Sequence, residues 1–128
     1  MEISTFPTHP AANLRVYQAS KTLETDIFFL TRRFPKAEHG ALTALIRTTS
    51  QCISKQVVRA WQTRHSGTGF RTHLNECQSA CARLALWLDL AYDHYYLSTV
   101  EHEEFLERKT ELQRMLSRLA TQRIALLA

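Results

Sequence analysis

The 128-residue sequence predicts an all-α fold, an antiparallel up-down-up-down four-helix bundle, and three observations support this prediction. Apolar residues recur at steps of three and four in separate stretches, as they do in helices that bury one face. Only three Gly and three Pro are present, so residues that break helices are scarce. The stretches are roughly 20–27 residues long and are joined by short segments, which is typical of such bundles.

The first predicted helix begins near Asn13, a suitable N-cap residue, and continues to Arg33. Its inward stripe keeps the three-four spacing and consists of Val16, Ser20, Leu23, Ile27, Leu30 and Phe34. Pro35 disfavours a helical conformation in the residue before it, so it closes the segment. Residues 1–12 show no helical period, and we expect them to form a flexible N-terminal arm ahead of one bundle domain at 13–128.

The second predicted helix begins within residues 35–38, where Pro suits a first turn and Glu38 complements the positive end of the helix dipole. Its inward stripe consists of Leu42, Leu45, Ile46, Thr49, Ile53, Val57 and Ala60. The segment from His65 to Gly69 contains two glycines and is the clearest predicted loop. Gly-rich loops can hold phosphate, but this one lacks a preceding strand and a Walker-type lysine, so we favour a plain connection.

The third predicted helix, which ends near Tyr96, should be the most buried of the four. Its stripe consists of Leu74, Cys77, Cys81, Leu84, Leu88, Ala91 and Tyr95. A second stripe of Leu86, Trp87 and Leu90 widens the apolar surface beyond what one partner helix could cover. Large apolar patches left exposed usually mark interfaces, so this helix predicts self-association into a homo-oligomer.

The fourth predicted helix runs from Thr99 to about Ala125. Ser98 and Glu101 have the spacing of a capping box at its start. Acidic residues crowd its first turns and basic residues its end, and both match the helix dipole. Its inward residues are Phe105, Leu106, Leu112, Met115, Leu116 and Leu119.

The formal charge of +4 is unevenly distributed along the chain. Residues 1–71 contain ten Lys/Arg and four Asp/Glu, a balance of 10 − 4 = +6. Residues 72–128 contain six and eight, a balance of 6 − 8 = −2. A basic half indicates an anionic partner such as RNA or DNA, although a solvated basic surface would look the same.

The three cysteines fall on apolar helix faces, where a free thiol behaves as a small hydrophobe. This usage is typical of a reducing cytoplasm, which is the localisation we expect. The first 20 residues show no signal-peptide pattern, and no apolar run reaches the roughly 20 residues of a membrane span, so we expect no membrane association.

The candidate nucleic-acid-binding residues are basic side chains near and along the second helix. They form one group at the first helix-helix turn and a second group that recurs along one side of the second helix: Arg32, Arg33 and Lys36, then Arg47, Lys55, Arg59 and Arg64. Tyr17, Trp61 and His65 could add stacking or hydrogen bonds. Such a surface would bind the phosphate backbone without reading the base sequence.

The residues that could form a metal or catalytic site are better explained by structural roles. His73, Cys77 and Cys81 are spaced as metal ligands on one helix face, but the cysteines coincide with the core stripe and no fourth ligand is evident. The acidic start of the fourth helix has no matching Glu-x-x-His motif elsewhere, as a di-metal site would require. Asp89 and Asp93 could be a functional carboxylate pair, although pairing with a basic neighbour is commoner. We therefore expect no enzyme activity, no metal and no cofactor.

Three short motifs resemble a known family of four-helix bundles. Residues 34–38 (Phe-Pro-Lys-Ala-Glu) are similar to the first turn of proteins encoded in intervening sequences of large-subunit ribosomal RNA genes, and of their relatives, the accessory variability determinants of diversity-generating retroelements. Residues 88–93 (Leu-Asp-Leu-Ala-Tyr-Asp) with 96–98, and residues 111–116 (Glu-Leu-Gln-Arg-Met-Leu), resemble the retroelement branch. The ribosomal branch usually has an Asn-Ile-Ala-Glu-Gly-like run where residues 54–58 read Ser-Lys-Gln-Val-Val, which also favours the retroelement branch.

The resemblance implies a cyclic homopentamer that binds nucleic acid, associates with a reverse transcriptase and assists the copying of a template RNA without being an enzyme. One departure concerns the partner, since two Arg common on the third helix of that branch correspond to Ala85 and Asp89 here. The leading hypothesis is an accessory protein of a retroelement reverse transcriptase. The alternatives are a bundle of the ribosomal RNA intervening-sequence type, a scaffold that binds only protein, and a small metalloenzyme.

Overall fold

The computed structural model describes residues 14–127, with side chains described through residue 121. Four helices follow one another: α1 (Arg15–Thr31), α2 (Leu42–Gln62), α3 (Gly67–Asp93) and α4 (Thr99–Leu127), with a short 3-10 turn at Lys36–Glu38 between the first two. Each helix packs against the next, α2 and α3 make the most extensive contact, and α1 touches α4 to close the bundle. The predicted all-α up-down bundle is confirmed. The predicted arm at 1–12 and the N-cap at Asn13 lie outside the described residues.

The core lies on the periodic stripes that the sequence predicts, with α3 at its centre. Leu45 of α2 is an exception: the spacing predicts that it faces inward, but it is 41% exposed, because it lies about 100° around the helix from the fully buried Ile46. On α3 the fully buried residues include Cys77, Ala80, Cys81, Leu84, Leu88 and Ala91. They meet side chains such as Ile27 of α1, Ile46 of α2 and Leu116 of α4, none of which is accessible to solvent. α2 and α3 are antiparallel. Thr49 in the first half of α2 is hydrogen-bonded to Trp87 near the end of α3, and Gln56 later in α2 is hydrogen-bonded to His73 near the start of α3.

The predicted start of the second helix is wrong by several residues. A 3-10 turn at Lys36–Glu38 comes first, and α2 begins only at Leu42, the first of its residues to enter the core. The backbone N–H of Leu42 donates to Oε1 of Glu38 at 3.4 Å. Glu38 therefore complements the positive end of the helix from the turn before it, not from inside it.

The predicted loop from His65 to Gly69 is also wrong at its second half, because α3 begins at Gly67. Oγ of Ser66 accepts a hydrogen bond of 3.1 Å from the Gly69 N–H, which makes Ser66 the N-cap residue. Phe70 is buried one residue later and anchors this first turn. Packing and the cap outweigh the low helix propensity of the two glycines.

Tyr95 departs from the predicted inward stripe. The sequence spacing continues to Tyr95, but α3 ends at Asp93 and Tyr95 adopts φ = 64°. The N–H of Tyr96 donates to the carbonyl of Ala91 and that of Tyr95 to the carbonyl of Tyr92, which is a Schellman ending with Tyr95 at the C′ position. The Tyr95 side chain is consequently 94% exposed.

The connection after α1 and the connection after α3 pack against each other at one end of the bundle. The rings of Phe34 and Tyr96 are 5.2 Å apart, and the Tyr96 hydroxyl donates to Oε2 of Glu38 at 2.8 Å. The predicted capping box is confirmed: the Ser98 N–H donates to Glu101 at 2.9 Å, and the Glu101 N–H donates to Ser98 at 3.1 Å. None of the described helices combines the length and apolar character needed to cross a membrane.

Candidate nucleic-acid interface

The seven predicted basic residues differ sharply in their surroundings. Arg47 is half-buried and lies against α1: its Nε donates to Oγ1 of Thr31 at 2.8 Å, and its guanidinium stands 4.4 Å from the centre of the Phe28 ring. Arg64 is similarly occupied, since its Nη1 donates to the Trp61 carbonyl at 2.8 Å and its guanidinium lies over the Trp61 ring. Arg47 thus joins α2 to α1, whereas the Arg64 guanidinium is engaged locally at the end of α2.

The cations at the first helix-helix turn, Arg32, Arg33 and Lys36, also differ in their partners. Arg33 forms a short ion pair with Glu101 and a further hydrogen bond of 3.4 Å with the Tyr96 carbonyl. The Arg33 guanidinium, together with the Ser98 N–H, lowers the pKa of the Glu101 carboxyl to about 2. Arg32 is exposed with its guanidinium 5.8 Å from the Phe29 ring, and Lys36 is exposed in the 3-10 turn. Only Arg32 and Lys36 of this group present a cation that no described carboxylate neutralises.

Lys55 and Arg59 are exposed one turn apart on α2. Among the described residues, neither side chain has an ion-pair or hydrogen-bond partner. They border an open groove of about 340 Å³ between α1 and α2, the α1–α2 groove, which is lined by Tyr17, Lys21, Ser54, Lys55, Val58, Arg59 and Gln62. The groove lies at the end of the bundle where α1 begins and α2 ends, opposite the end that carries Arg32 and Lys36.

Lys21 is the groove cation that the sequence interpretation did not single out. It lies one turn after Tyr17 on α1, so the two share a face, and this spacing was the available signal. Its Nζ is 3.4 Å from the Glu24 carboxylate, which in turn accepts a hydrogen bond of 2.8 Å from the Ser54 hydroxyl. Glu24 therefore marks the boundary of the positive surface toward the middle of the bundle.

The geometry of the α1–α2 groove suits a phosphate backbone. Two unneutralised cations stand beside a third, Lys21, and the half-buried ring of Tyr17 offers an aromatic surface next to them. Lysine and arginine bind phosphates without regard to base sequence, while an aromatic ring stacks on any base. Arg47 does not join this set, because it precedes Arg59 by 12 residues and so lies about 120° away around the helix.

The residues of the candidate metal site on α3 are engaged in other contacts in the structure. Nδ1 of His73 lies 2.7 Å from Oε1 of Gln56, while Cys77 and Cys81 are fully buried. Burial raises the pKa of both thiols, that of Cys81 to about 12. Within the part of the chain that the structure describes, no three His, Cys, Asp or Glu side chains are placed to hold a metal ion.

The two candidate carboxylates of α3, Asp89 and Asp93, have different surroundings. Oδ1 of Asp89 lies 2.7 Å from Nε2 of His102, so this carboxylate meets a basic group on the neighbouring helix, as expected for a structural pair. His102 also stacks on Tyr92 with ring centres 4.3 Å apart. Asp93, by contrast, is exposed and has no ion pair within residues 14–121.

A comparison with protein families identifies the fold's relatives. A family model described as 23S rRNA-intervening sequence protein matches residues 12–118, most of the chain. The chain belongs to this family. The match agrees with the ribosomal side of the resemblance and gives no support to the retroelement branch that the sequence motifs favoured. No curated protein matches the chain significantly.

Proposed function

We propose that this member of the 23S rRNA-intervening sequence protein family is a non-enzymatic RNA-binding bundle that holds a phosphate backbone in the α1–α2 groove. The observation that carries the proposal is the pair of exposed cations, Lys55 and Arg59, that have no counter-charge among the described residues and stand beside Tyr17. The family's name supports ribosomal RNA as the partner.

The groove favours RNA backbone binding for three physical reasons. Unpaired surface cations release the counterions condensed on a nucleic acid, which is the main source of sequence-independent affinity. An open groove admits a flexible strand, and a Tyr ring beside the cations can stack on an unpaired base. The positive balance of residues 1–71, from which both groove helices come, attracts the strand from a distance.

The proposal also includes self-assembly and the identity of the binding partner. A homo-oligomer, a pentamer on the grounds of the resemblance, would repeat the groove around a ring and so multiply its charge. The exposed side chains of Leu86 and Leu90 on α3 support self-association, because they form apolar surface that one bundle leaves uncovered. The family match favours ribosomal RNA over the retroelement role with a reverse transcriptase.

The test is a charge reversal with a matched control. The double variant Lys55→Glu/Arg59→Glu should lose most of its affinity for a fluorescein-labelled single-stranded RNA in fluorescence anisotropy at low salt. Arg32→Glu/Lys36→Glu changes the net charge equally at the opposite end of the bundle and should retain most of the affinity. Circular dichroism must show both variants folded, and the same measurement with DNA establishes the nucleic-acid preference.

Three results would contradict the proposal. Loss of binding in the Arg32/Lys36 control with retention in the groove variant would move the interface to the first helix-helix turn. Equal loss in both variants would reduce the interaction to net charge alone. Absence of RNA binding by the wild-type protein at low salt would favour a scaffold that binds only protein.

A further inference from the structure

A second recess lies at the end of the bundle opposite the α1–α2 groove. This turn pocket has a volume of about 430 Å³ and is lined by Tyr92, Asp93, Tyr95, Leu97, Ser98 and Thr99. Leu97 is buried and forms part of its floor, while Asp93 and Thr99 stand exposed at its edge. Aromatic rings and a carboxylate thus surround one space, and nothing in the proposed RNA-binding function uses it.

The two tyrosines of the pocket are held in different ways. Tyr92 is fixed, because its ring stacks on His102 at 4.3 Å between ring centres and its hydroxyl lies 3.0 Å from Oγ1 of Thr99. Tyr95 is almost entirely in solvent, and its hydroxyl has no hydrogen-bond partner among the described residues. The Tyr92 ring is therefore held in place, whereas the Tyr95 ring is free to move toward a ligand.

Tyr95 occupies a backbone position that suits glycine. Its φ of 64° is the left-handed conformation that a Cβ atom disfavours, and helices with this ending most often have Gly there. A tyrosine at this position gains almost no burial in return, since its side chain is exposed. The side chain is thus not explained by the stability of the bundle.

The electrostatics of the turn pocket are opposite to those of the α1–α2 groove. The Asp93 carboxylate has no ion-pair partner within the described residues, and Glu103, one helical turn after Thr99, is exposed on the same face of α4. No described Lys or Arg lines the pocket, and Arg33, which donates to the carbonyl of the neighbouring Tyr96, is paired with Glu101. An anionic rim repels phosphates, which argues against nucleic acid as the occupant.

From this arrangement we propose that the turn pocket binds an arginine side chain in a basic segment of a partner protein. The flat guanidinium group enters between the rings of Tyr92 and Tyr95, where the aromatic faces attract a cation, and the Asp93 carboxylate accepts its hydrogen bonds. The protein would then hold RNA at one end of the bundle and a basic protein at the other. The proposal does not depend on the RNA-binding function, because the two sites share no residue.

The direct test uses a defined probe. A fluorescein-labelled peptide of four Arg-Gly repeats should bind the full chain, and the same peptide with citrulline in place of arginine should bind at least several-fold more weakly, because citrulline keeps the shape but lacks the charge. Tyr95→Gly and Asp93→Asn should each weaken binding of the arginine peptide by about threefold to tenfold, as expected for one cation–π contact or one charge-assisted hydrogen bond.

Two further variants separate the pocket from fold and net charge. Tyr95→Gly should also raise the melting temperature, because it relieves the left-handed backbone, so weaker peptide binding could not be attributed to unfolding. Tyr95→Phe should keep the affinity, since the ring and not the hydroxyl makes the contact. Glu107→Gln removes an exposed acid further along α4 and should change the affinity less than twofold.

Several outcomes would overturn the proposal. Wild-type affinity in Tyr95→Gly and Asp93→Asn would exclude the pocket, and an equal loss in Glu107→Gln would leave only non-specific attraction. Loss of RNA affinity in Tyr95→Gly would reassign the pocket to nucleic acid. A fall in oligomer mass in the same variant, measured by light scattering, would reassign it to a second copy of the chain.

Discussion

Nε of Arg47 donates a hydrogen bond of 2.8 Å to Oγ1 of Thr31, and this bond places the first cation of α2 on the last turn of α1. Nη2 of Arg47 also lies 3.4 Å from the Phe28 carbonyl, and the guanidinium covers the Phe28 ring. The positive group thus stands at the negative end of the α1 dipole. Arg47 belongs to the seam between the two helices, whereas Lys55 and Arg59 on the same helix face solvent.

Arg47→Ala should therefore lower the free energy of unfolding by about 1–2 kcal/mol, the loss expected for a hydrogen bond to a charged group and a cation–π contact. Urea unfolding followed by circular dichroism measures this change. Lys55→Ala, on the exposed side of the same helix, is the control and should change the stability by less than about 0.5 kcal/mol. A stable Arg47→Ala variant that had lost RNA affinity would return Arg47 to the nucleic-acid interface.

The salt dependence of RNA binding should distinguish groove cations from seam cations. Lys55→Ala and Arg59→Ala should each reduce the slope of log affinity against log salt by up to about one unit, because each removes one phosphate contact. Arg47→Ala should leave the slope unchanged, since its guanidinium is occupied by α1. Equal slopes in the wild type and in both groove variants would contradict the assignment of the α1–α2 groove.

The ion pair between Arg33 and Glu101 should make stability depend on pH in the acid range. In the folded chain the Arg33 guanidinium and the Ser98 N–H lower the pKa of Glu101 to about 2, so the unfolded state takes up the proton first on acidification. The contribution is therefore present above the ordinary Glu pKa and is lost as the pH falls toward 2. Because Arg33 is half exposed and solvent screens the pair, Glu101→Gln should cost only about 1 kcal/mol at pH 7.

Unfolding by urea at pH 7, 5 and 3 tests this linkage. The stability difference between the wild type and Glu101→Gln should be largest at pH 7 and should shrink at pH 3. Glu104→Gln, an exposed acid in the same stretch of α4, should differ little from the wild type at every pH. A difference that stays constant from pH 7 to pH 3 would mean that Glu101 acts only as a neutral cap.

The three thiols should react with a disulfide reagent in two classes. Cys77 and Cys81 are fully buried, and burial raises the pKa of both, so neither should react in the folded protein. Cys52 is half-buried near Arg83 and should react first. Counting thiols with Ellman's reagent at pH 8 should give one reactive group in the native state and the other two only in urea. Stoichiometric zinc in metal-replete protein would contradict the assignment of Cys77 and Cys81 to the core.

The sequence predicted the fold well because helical periodicity reports burial directly. Leu84, Leu88 and the other members of the α3 stripe lie where the spacing placed them. The spacing could not show that the helix ends before Tyr95, because that ending depends on backbone hydrogen bonds to the carbonyls of Ala91 and Tyr92. Nor could it show that Phe70 and the Ser66 cap extend α3 back through two glycines.

The candidate groove was only partly predictable for a related reason. Charge counts identified a basic half, and Lys55 and Arg59 follow from their spacing on one helix. Whether a cation is available, however, depends on contacts between helices, which occupy Arg47 and Arg33 and bring Lys21 to the groove. A one-dimensional pattern does not contain these contacts.

The exposed apolar surface of α3 should mediate self-association. Leu86 is 62% exposed and Leu90 is 40% exposed on one face of α3. Leu45 of α2 is 41% exposed, and it lies one turn before Thr49, which accepts a hydrogen bond from the Trp87 indole of α3. Burying these side chains between copies would remove apolar area from water, a favourable change of about 25 cal/mol per Å². We therefore expect a homo-oligomer, with the pentamer of the resembled family as the predicted size.

Leu86→Glu should dissociate this oligomer, because it places a charge within the proposed apolar interface. The substitution should leave the core of a single bundle intact, since Leu86 is 62% exposed. Size-exclusion chromatography with light scattering should give a multiple of 14.8 kDa for the wild type and a smaller mass for the variant. Val100→Glu introduces the same charge at another exposed apolar residue, at the start of α4, and should leave the mass unchanged. A wild-type mass of one chain at micromolar concentration would contradict self-association, and equal dissociation by both variants would mean that charge, not the α3 patch, controls assembly.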